Sequence, residues 1–257
     1  MLIFSVVYGK VYDCFLFFNE YEILELCLEE LYNYVDKFVI VESSEGFRGH
    51  PKPFNFEEHK DRYARFLDKI IYIKLEEHTE TDDTWVRQSY QRNQIMQGLV
   101  NCEPKDLIII SDVDEYIPGS IIKKLYWVIK EHPMIGFMQR MYRWFLNRST
   151  NEWWAGTAAL RYSTLVLSSP QEVRDLVRQG KMPYWWMGWH FTSMGGYRSI
   201  VQKYINFSAG CDEEIPYEHW RSHCTHHQTL VKIDKTYPKF VQNNRRLLKD
   251  RGLLDLK

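Results

Sequence analysis

Three carboxylates, Asp112, Asp114 and Glu115, fall within four positions, directly after Leu107-Ile108-Ile109-Ile110-Ser111. An aliphatic run of that length reads as a strand buried on both faces of a sheet. Residues 112 and 114 are two apart, so in extended backbone their side chains share a face. Two carboxylates at the end of a buried strand are costly without a cation. Their oxygens suit a hard divalent ion, Mn2+ or Mg2+, that can also hold a phosphate. The spacing predicts a metal and diphosphate site for a nucleotide-sugar, with Asp114 on the metal and Asp112 on the ribose or reaching the metal through water. The plainer reading is an acidic turn without a ligand.

The elements that must position these carboxylates follow from the preceding pattern. Val11 to Phe18, Lys37 to Val41, Lys69 to Leu75 and the central run read as strands. Helices alternate with them: one from about Leu24, with Asn19 as N-cap and Glu22 three residues on, a short one over 57–66, one opened by Asp83-Thr84, and one after Pro118. Strand–helix alternation predicts an α/β fold with a largely parallel sheet. Ligands of such sheets bind beyond the carboxyl ends of the strands. There the chain offers Asn19-Glu20, Glu42-Ser43, Glu76-Glu77-His78 and Asp112-Val113-Asp114.

The second half is mixed. Ile135 to Leu146, Thr157 to Leu167 and Tyr184 to Phe191 read as strands, with 147–156 between the first two. Ser169-Pro170-Gln171-Glu172 opens a helix, Gly195-Gly196 precedes another that runs through Lys203, and 237–252 reads as a basic surface helix. No repeat or linker divides the 257 residues, which predicts one domain: a nucleotide-sugar half over 1–118 and an acceptor half over 119–257.

Composition narrows the class. A net charge of −1 gives no electrostatic reason to expect nucleic acid or an anionic membrane as partner. Five scattered cysteines without a Cys-x-x-Cys pair suit a reduced, cytoplasmic protein. The apolar stretch Met1 to Tyr8 is too short to span a bilayer, so a soluble protein without a membrane span is expected.

Several stretches together resemble glycosyltransferase family 17, the β-1,4-mannosyl-glycoprotein 4-β-N-acetylglucosaminyltransferase family. They are Tyr12-Asp13-Cys14-Phe15 with Phe18-Asn19-Glu20, Val35 to Ser43, Pro51-Lys52-Pro53, Tyr90-Gln91-Arg92-Asn93, Ser111 to Glu115 and Gly188-Trp189-His190-Phe191. The resemblance runs from about residue 11 to about residue 210. It implies a GT-A fold, a UDP-sugar donor (UDP-GlcNAc in known members), a glycan acceptor, Mn2+ dependence and inversion at the anomeric carbon. It also implies His190 as a third metal ligand, which neutral imidazole suits, and Asn19, Glu42 and Ser43 at the uridine.

Arg92, beside Asn93, can fork onto a diphosphate and Lys203 can meet it as a point charge. Inversion needs a general base, for which Glu172 is the first candidate and Asp212 and Glu213 the second. Trp153, Trp154, Trp185, Trp186 and Trp189 are candidates for sugar stacking, though core packing claims most of them. His219, His223 and His226, near Cys224, have a spacing that would face zinc on a helix. Two rival functions remain. A haloacid-dehalogenase-like phosphatase would use Asp112 as nucleophile, although its motif sits nearer the N-terminus. A carbohydrate-binding protein without turnover would bind glycan needing neither nucleotide nor metal.

Overall fold

The computed structural model describes residues 9–210 and 216–255, and for 223–226 the backbone alone. The first half alternates as expected: β1 (Val11–Leu16), α1 (Tyr21–Leu31), β2 (Lys37–Ser43), α2 (Asn55–Glu58), β3 (Ile70–Leu75), α3 (Thr84–Asn93), β4 (Leu107–Ile110), the two-residue β5 (Glu115–Tyr116) and α4 (Ile122–Glu131). The second half runs β6 (Met134–Arg143), β7 (Arg148–Arg161), α5 (Tyr162–Leu165), α6 (Pro170–Arg178), β8 (Tyr184–Thr192), α7 (Gly196–Asn206), α8 (Tyr217–His226), β9 (Thr229–Leu230), α9 (Lys239–Asn243) and α10 (Arg245–Asp250).

Among the described residues one sheet holds all the strands, in the order β3-β2-β1-β4-β7-β6-β8-β5, with β9 on β7. The four N-terminal strands are mutually parallel; β7 then joins β4 antiparallel. Every residue of β4 is buried, as its unbroken Leu-Ile-Ile-Ile run requires. Core side chains cover both faces of the sheet. Among the described residues no helix is long and apolar enough to cross a membrane.

Four local expectations are corrected. Asn19 does not cap α1; Glu20 holds the N-cap position, and its carboxylate accepts from the Phe18 and Asn19 amides at 3.1 Å. The strand expected over 157–167 begins at Arg148 and gives way to α5. Its polar and Gly-containing start looked like a loop, but Arg140↔Trp153 and Gln139↔Trp154 pairing draws it into the sheet, as tertiary context often does to β-propensity. The helix of 57–66 is α2 followed by a 3-10 segment, Lys60–Phe66. The C-terminal helix is broken in two at Asn244.

Asp13 on β1 is buried, with Cys27 Sγ at 3.7 Å, Ser111 Oγ at 3.5 Å and the Cys14 amide near its oxygens. Burial outweighs those contacts and pushes its carboxyl up to about 7. The folded state therefore prefers the acid form. The stability this confers is full below the ordinary carboxylate range and is lost as pH rises through about 7. Asp13→Asn removes the titration. Urea melts at pH 5 and pH 8 are expected to show the variant gaining about 3 kcal/mol on wild type at the higher pH. An equal difference at both pH values would refute this assignment.

Candidate active site

The chain leaves β4 at Ser111, turns through Asp112 and Asp114, and re-enters the sheet as β5. Antiparallel pairing sets Glu115 opposite His190 of β8, and the Phe191 amide donates to the Asp114 carbonyl at 2.8 Å. Gly188, at φ +97°, lies against the Tyr116 carbonyl, where a Cβ would stand 2.8 Å from that oxygen. This ladder delivers His190 Nε2 to 3.5 Å from Asp114 Oδ1. Both side chains are buried, at the floor of a cleft of about 440 Å3 bounded by the ends of β1 and β4, the loop after β2, α3, β8 and α7.

Lys203 reaches in from α7 and donates to Asp114 Oδ2 at 2.9 Å and to Glu20 Oε1 at 3.1 Å. Burial opposes charge on Asp114, but the Lys203 ammonium and then His190 outweigh it and hold the carboxyl well below the usual range. Lys203 is correspondingly held above its ordinary value by Asp114 and Glu20 despite its burial.

Asp112 is braced rather than open. Arg92 donates to its Oδ1 at 2.8 Å and Arg174 to its Oδ2 at 2.7 Å. Arg174, fully buried on α6, also forks onto both oxygens of Glu115. Glu115 accepts further from Trp154 Nε1 and from Thr157 Oγ1. Gly156 makes room for this: a Cβ there would stand 2.5 Å from the Glu115 oxygens. Two guanidiniums thus neutralise Asp112 at the edge of the cleft and Glu115 in the sheet interior. Burial works against the ionised form of Asp112, yet Arg174 and Arg92 drive its pKa far below the ordinary value.

Among the described residues, Asp114, Glu115 and His190 are the group whose ligand atoms lie within 4.8 Å of one another. Because Glu115's oxygens are already taken, the ligands left for a divalent ion are Asp114 and His190. A carboxylate and an imidazole suit Mn2+, and substrate oxygens ordinarily complete such a site. His190 Nδ1 is buried without a hydrogen bond; the Trp154 ring, 5.0 Å away, holds the imidazole in place of a polar partner.

Other expected site residues are placed elsewhere. Arg92 is buried against Asp112 and Gln171 and cannot fork onto a diphosphate from there. Asn93 accepts from the Gln171 amide at 3.0 Å, tying α3 to α6. Glu42 is saturated by Lys52, the Asn55 and Phe56 amides and Tyr72, and Ser43 is buried and does not line the cleft, so neither is open to uridine. Asn19 does not line the cleft, whereas its neighbour Glu20 does.

Glu172 closes a capping box with Ser169 and points to solvent, its carboxyl lowered by Ser168 and Ser169. It is therefore no base for a reaction in the cleft, and Glu172→Gln is expected to leave turnover within about twofold of wild type, since surface changes of this kind stay within a few tenths of a kcal/mol. Steady-state rates of the two proteins decide it. Asp212 and Glu213 lie outside the described residues. His219, His223 and His226 fall on helical backbone, but the last two and Cys224 are outside the described side chains.

Of the tryptophans, Trp154 lines the cleft, Trp189 is core, and Trp153 and Trp186 pack edge to face on the exterior. Glu20, Arg174 and the cleft-lining Gln88, Gln91, Arg143 and Arg178 were not anticipated as site residues. The strand-end pair Asn19-Glu20 pointed near the first. Gln91 falls in the Tyr90-Gln91-Arg92-Asn93 stretch that carries the resemblance, and the others sit on helices or late strands with no local signal.

Comparison with known proteins bears on this geometry. A family model described as glycosyltransferase family 17 matches residues 5–205. The beta-1,4-mannosyl-glycoprotein 4-beta-N-acetylglucosaminyltransferases of Homo sapiens and Rattus norvegicus are each 32% identical over 119 residues, covering 42% of this chain and 22% of the relative. Among solved structures, the mannosyltransferase PcManGT from Pyrobaculum calidifontis, in complex with GDP-Man and Mn2+, aligns at TM-score 0.43 and 12% identity over 64% of this chain and 48% of that one. GalNAc-T7, with UDP, GalNAc and Mn2+, aligns at TM-score 0.46 and 9% identity over 98% of this chain and 56% of that one.

Proposed function

The chain belongs to glycosyltransferase family 17, and from that premise we propose that it is a metal-dependent, inverting enzyme that moves N-acetylglucosamine from UDP-GlcNAc to a glycan hydroxyl. The observation that carries this reading is the buried Asp114–His190 pair at the floor of the cleft. The sugar is the one in the relatives' names, which specify N-acetylglucosaminyl transfer, and the uridine nucleotide is what the family resemblance implies. A divalent ion held by Asp114 and His190 would act as a Lewis acid toward the leaving diphosphate.

The rest is done by the protein's own groups. The acceptor oxygen attacks the anomeric carbon, the bond from that carbon to the diphosphate breaks, and the hydroxyl proton passes to a base. Lys203 stands beside Asp114 with a fixed positive charge to offer the diphosphate. Arg92 and Arg174 keep Asp112 ionised and oriented, its backbone course setting where Asp114 points. The base is assigned to Asp212 or Glu213; Ala209, three residues before Asp212, lines the cleft. Buried, unbridged Cys14 and Cys27 support a reducing, cytoplasmic setting.

Phosphatase chemistry would need Asp112 as a free nucleophile, and both of its oxygens are bound by guanidiniums. Titration calorimetry of UDP with and without Mn2+, followed by a panel of UDP-sugars with glycan acceptors, tests the proposal. Mn2+-dependent binding of UDP supports it. Failure of UDP to bind with Mn2+ present would discard the uridine donor, and glycan binding that needs neither would favour a carbohydrate-binding protein.

A further inference from the structure

Of the residues expected at the uridine, Glu42 and Ser43 are buried and Asn19 does not line the cleft, so a base must be recognised elsewhere in it. Beyond the β2 loop the wall is built from α3 and the end of α7. Gln88 and Gln91 are three apart on α3 and share a face. Both are buried, yet both line the cleft. Each amide is held at one end only. Gln88 Oε1 accepts from Ser208 Oγ at 2.6 Å, leaving its Nε2 donor unused. Gln91 Nε2 donates to the Glu45 carbonyl at 3.3 Å, leaving its Oε1 acceptor unused. Neither free end is a sealed orphan, so each is open to the cleft.

Aromatic planes flank the pair. Trp85 precedes Gln88 by three residues on α3 and is half exposed, and Phe47 packs 6.4 Å from Phe207 across the same end of the cleft. A flat ligand edge with one donor and one acceptor, held between rings, is what this end can take. Trp154, 5.0 Å from His190 and with Arg178 over its ring, belongs to the floor beside Asp114 and offers no comparable amide pair.

Resting on the proposed UDP-sugar donor, we infer that Gln88 and Gln91 read the base: Gln88 Nε2 donates to the uracil O4 carbonyl, and Gln91 Oε1 accepts from the adjacent imide N3–H. Both amides act as specificity determinants and take no part in the chemical step. The hydrogen bonds to Ser208 and Glu45 fix which end of each amide faces the ligand.

Gln88→Glu tests this because a carboxylate keeps the bond from Ser208 but replaces the donor with an acceptor. UDP, CDP and inorganic pyrophosphate are titrated with Mn2+ into wild type and variant. UDP is expected to weaken by roughly tenfold or more. Discrimination should shift toward CDP, whose base carries an amino group where uracil has that carbonyl. Pyrophosphate, having no base, should bind both proteins alike. Gln91→Met, of similar volume, should weaken UDP and spare pyrophosphate, and covers the case of a Gln88 variant that folds poorly. Equal weakening of UDP and CDP, or no change in either, would overturn the assignment while leaving the donor proposal standing. Failure of wild type to bind UDP, with pyrophosphate still bound, would overturn both.

Discussion

Asp114→Asn is expected to abolish Mn2+-dependent UDP binding in calorimetry and to lower turnover by about three orders of magnitude or more, the scale on which loss of a transition-state charge stabiliser is felt. Asp114 is the only carboxylate of the three-residue cluster whose oxygens are not locked by guanidiniums. Its Oδ1 faces His190 Nε2 at 3.5 Å. An amide at this position keeps the volume and a neutral oxygen but removes the charge that attracts a divalent ion. It also leaves Lys203 with Glu20 as its single carboxylate partner, so the ammonium remains neutralised and the fold is expected to survive. Thermal melting separates the two effects: a variant that melts near wild type yet fails to bind UDP with Mn2+ has lost ligand chemistry. Wild-type UDP affinity in a folded Asp114→Asn would show that the metal is held elsewhere.

Arg174→Met is expected to be the most destabilising single substitution near the site. Arg174 is fully buried and binds Asp112 and Glu115 together. Removing it leaves Glu115 with the Trp154 and Thr157 donors and a long bond from the Asp112 amide, and leaves Asp112 with Arg92. Breaking a buried ion pair from one side typically costs about 3–5 kcal/mol. Adding Glu115→Gln removes the stranded charge, so the double variant should recover part of that loss, with a coupling energy of about 1 kcal/mol or more in urea titrations. Strictly additive effects would show that the two groups do not support one another. Recovery should not extend to activity, because Asp112 stays half-braced in the double variant.

Much of this protein is legible in its sequence. The Leu107–Ile110 run and its carboxylates announced a buried strand ending in a site, and β4 is buried at every position. Strand–helix alternation announced the parallel half. Asp83 and the Ser169–Glu172 box marked the starts of α3 and α6, because capping is decided within a few residues of chain. Less legible was β7, whose first residues carry loop-like composition and become strand only through pairing with β6.

Within the site, residue types identified what chemistry is available, but not which carboxylate is free to perform it. Asp112, Asp114 and Glu115 are chemically near-equivalent in sequence. The distinction among them arises from Arg92, Arg174, Lys203 and His190, which arrive from 20 to 89 residues away in the chain. Glu42 shows the same limit: at the expected rim, it is satisfied by backbone amides of α2. Gln88 and Gln91 look like ordinary helix residues until Ser208 and the Glu45 carbonyl occupy one end of each. Sequence by itself determined the elements, the family and the kinds of ligand atom, because propensity, capping and periodicity act over a few residues. Tertiary structure alone decided which polar atoms were left unpaired, because that depends on partners brought together by the completed sheet.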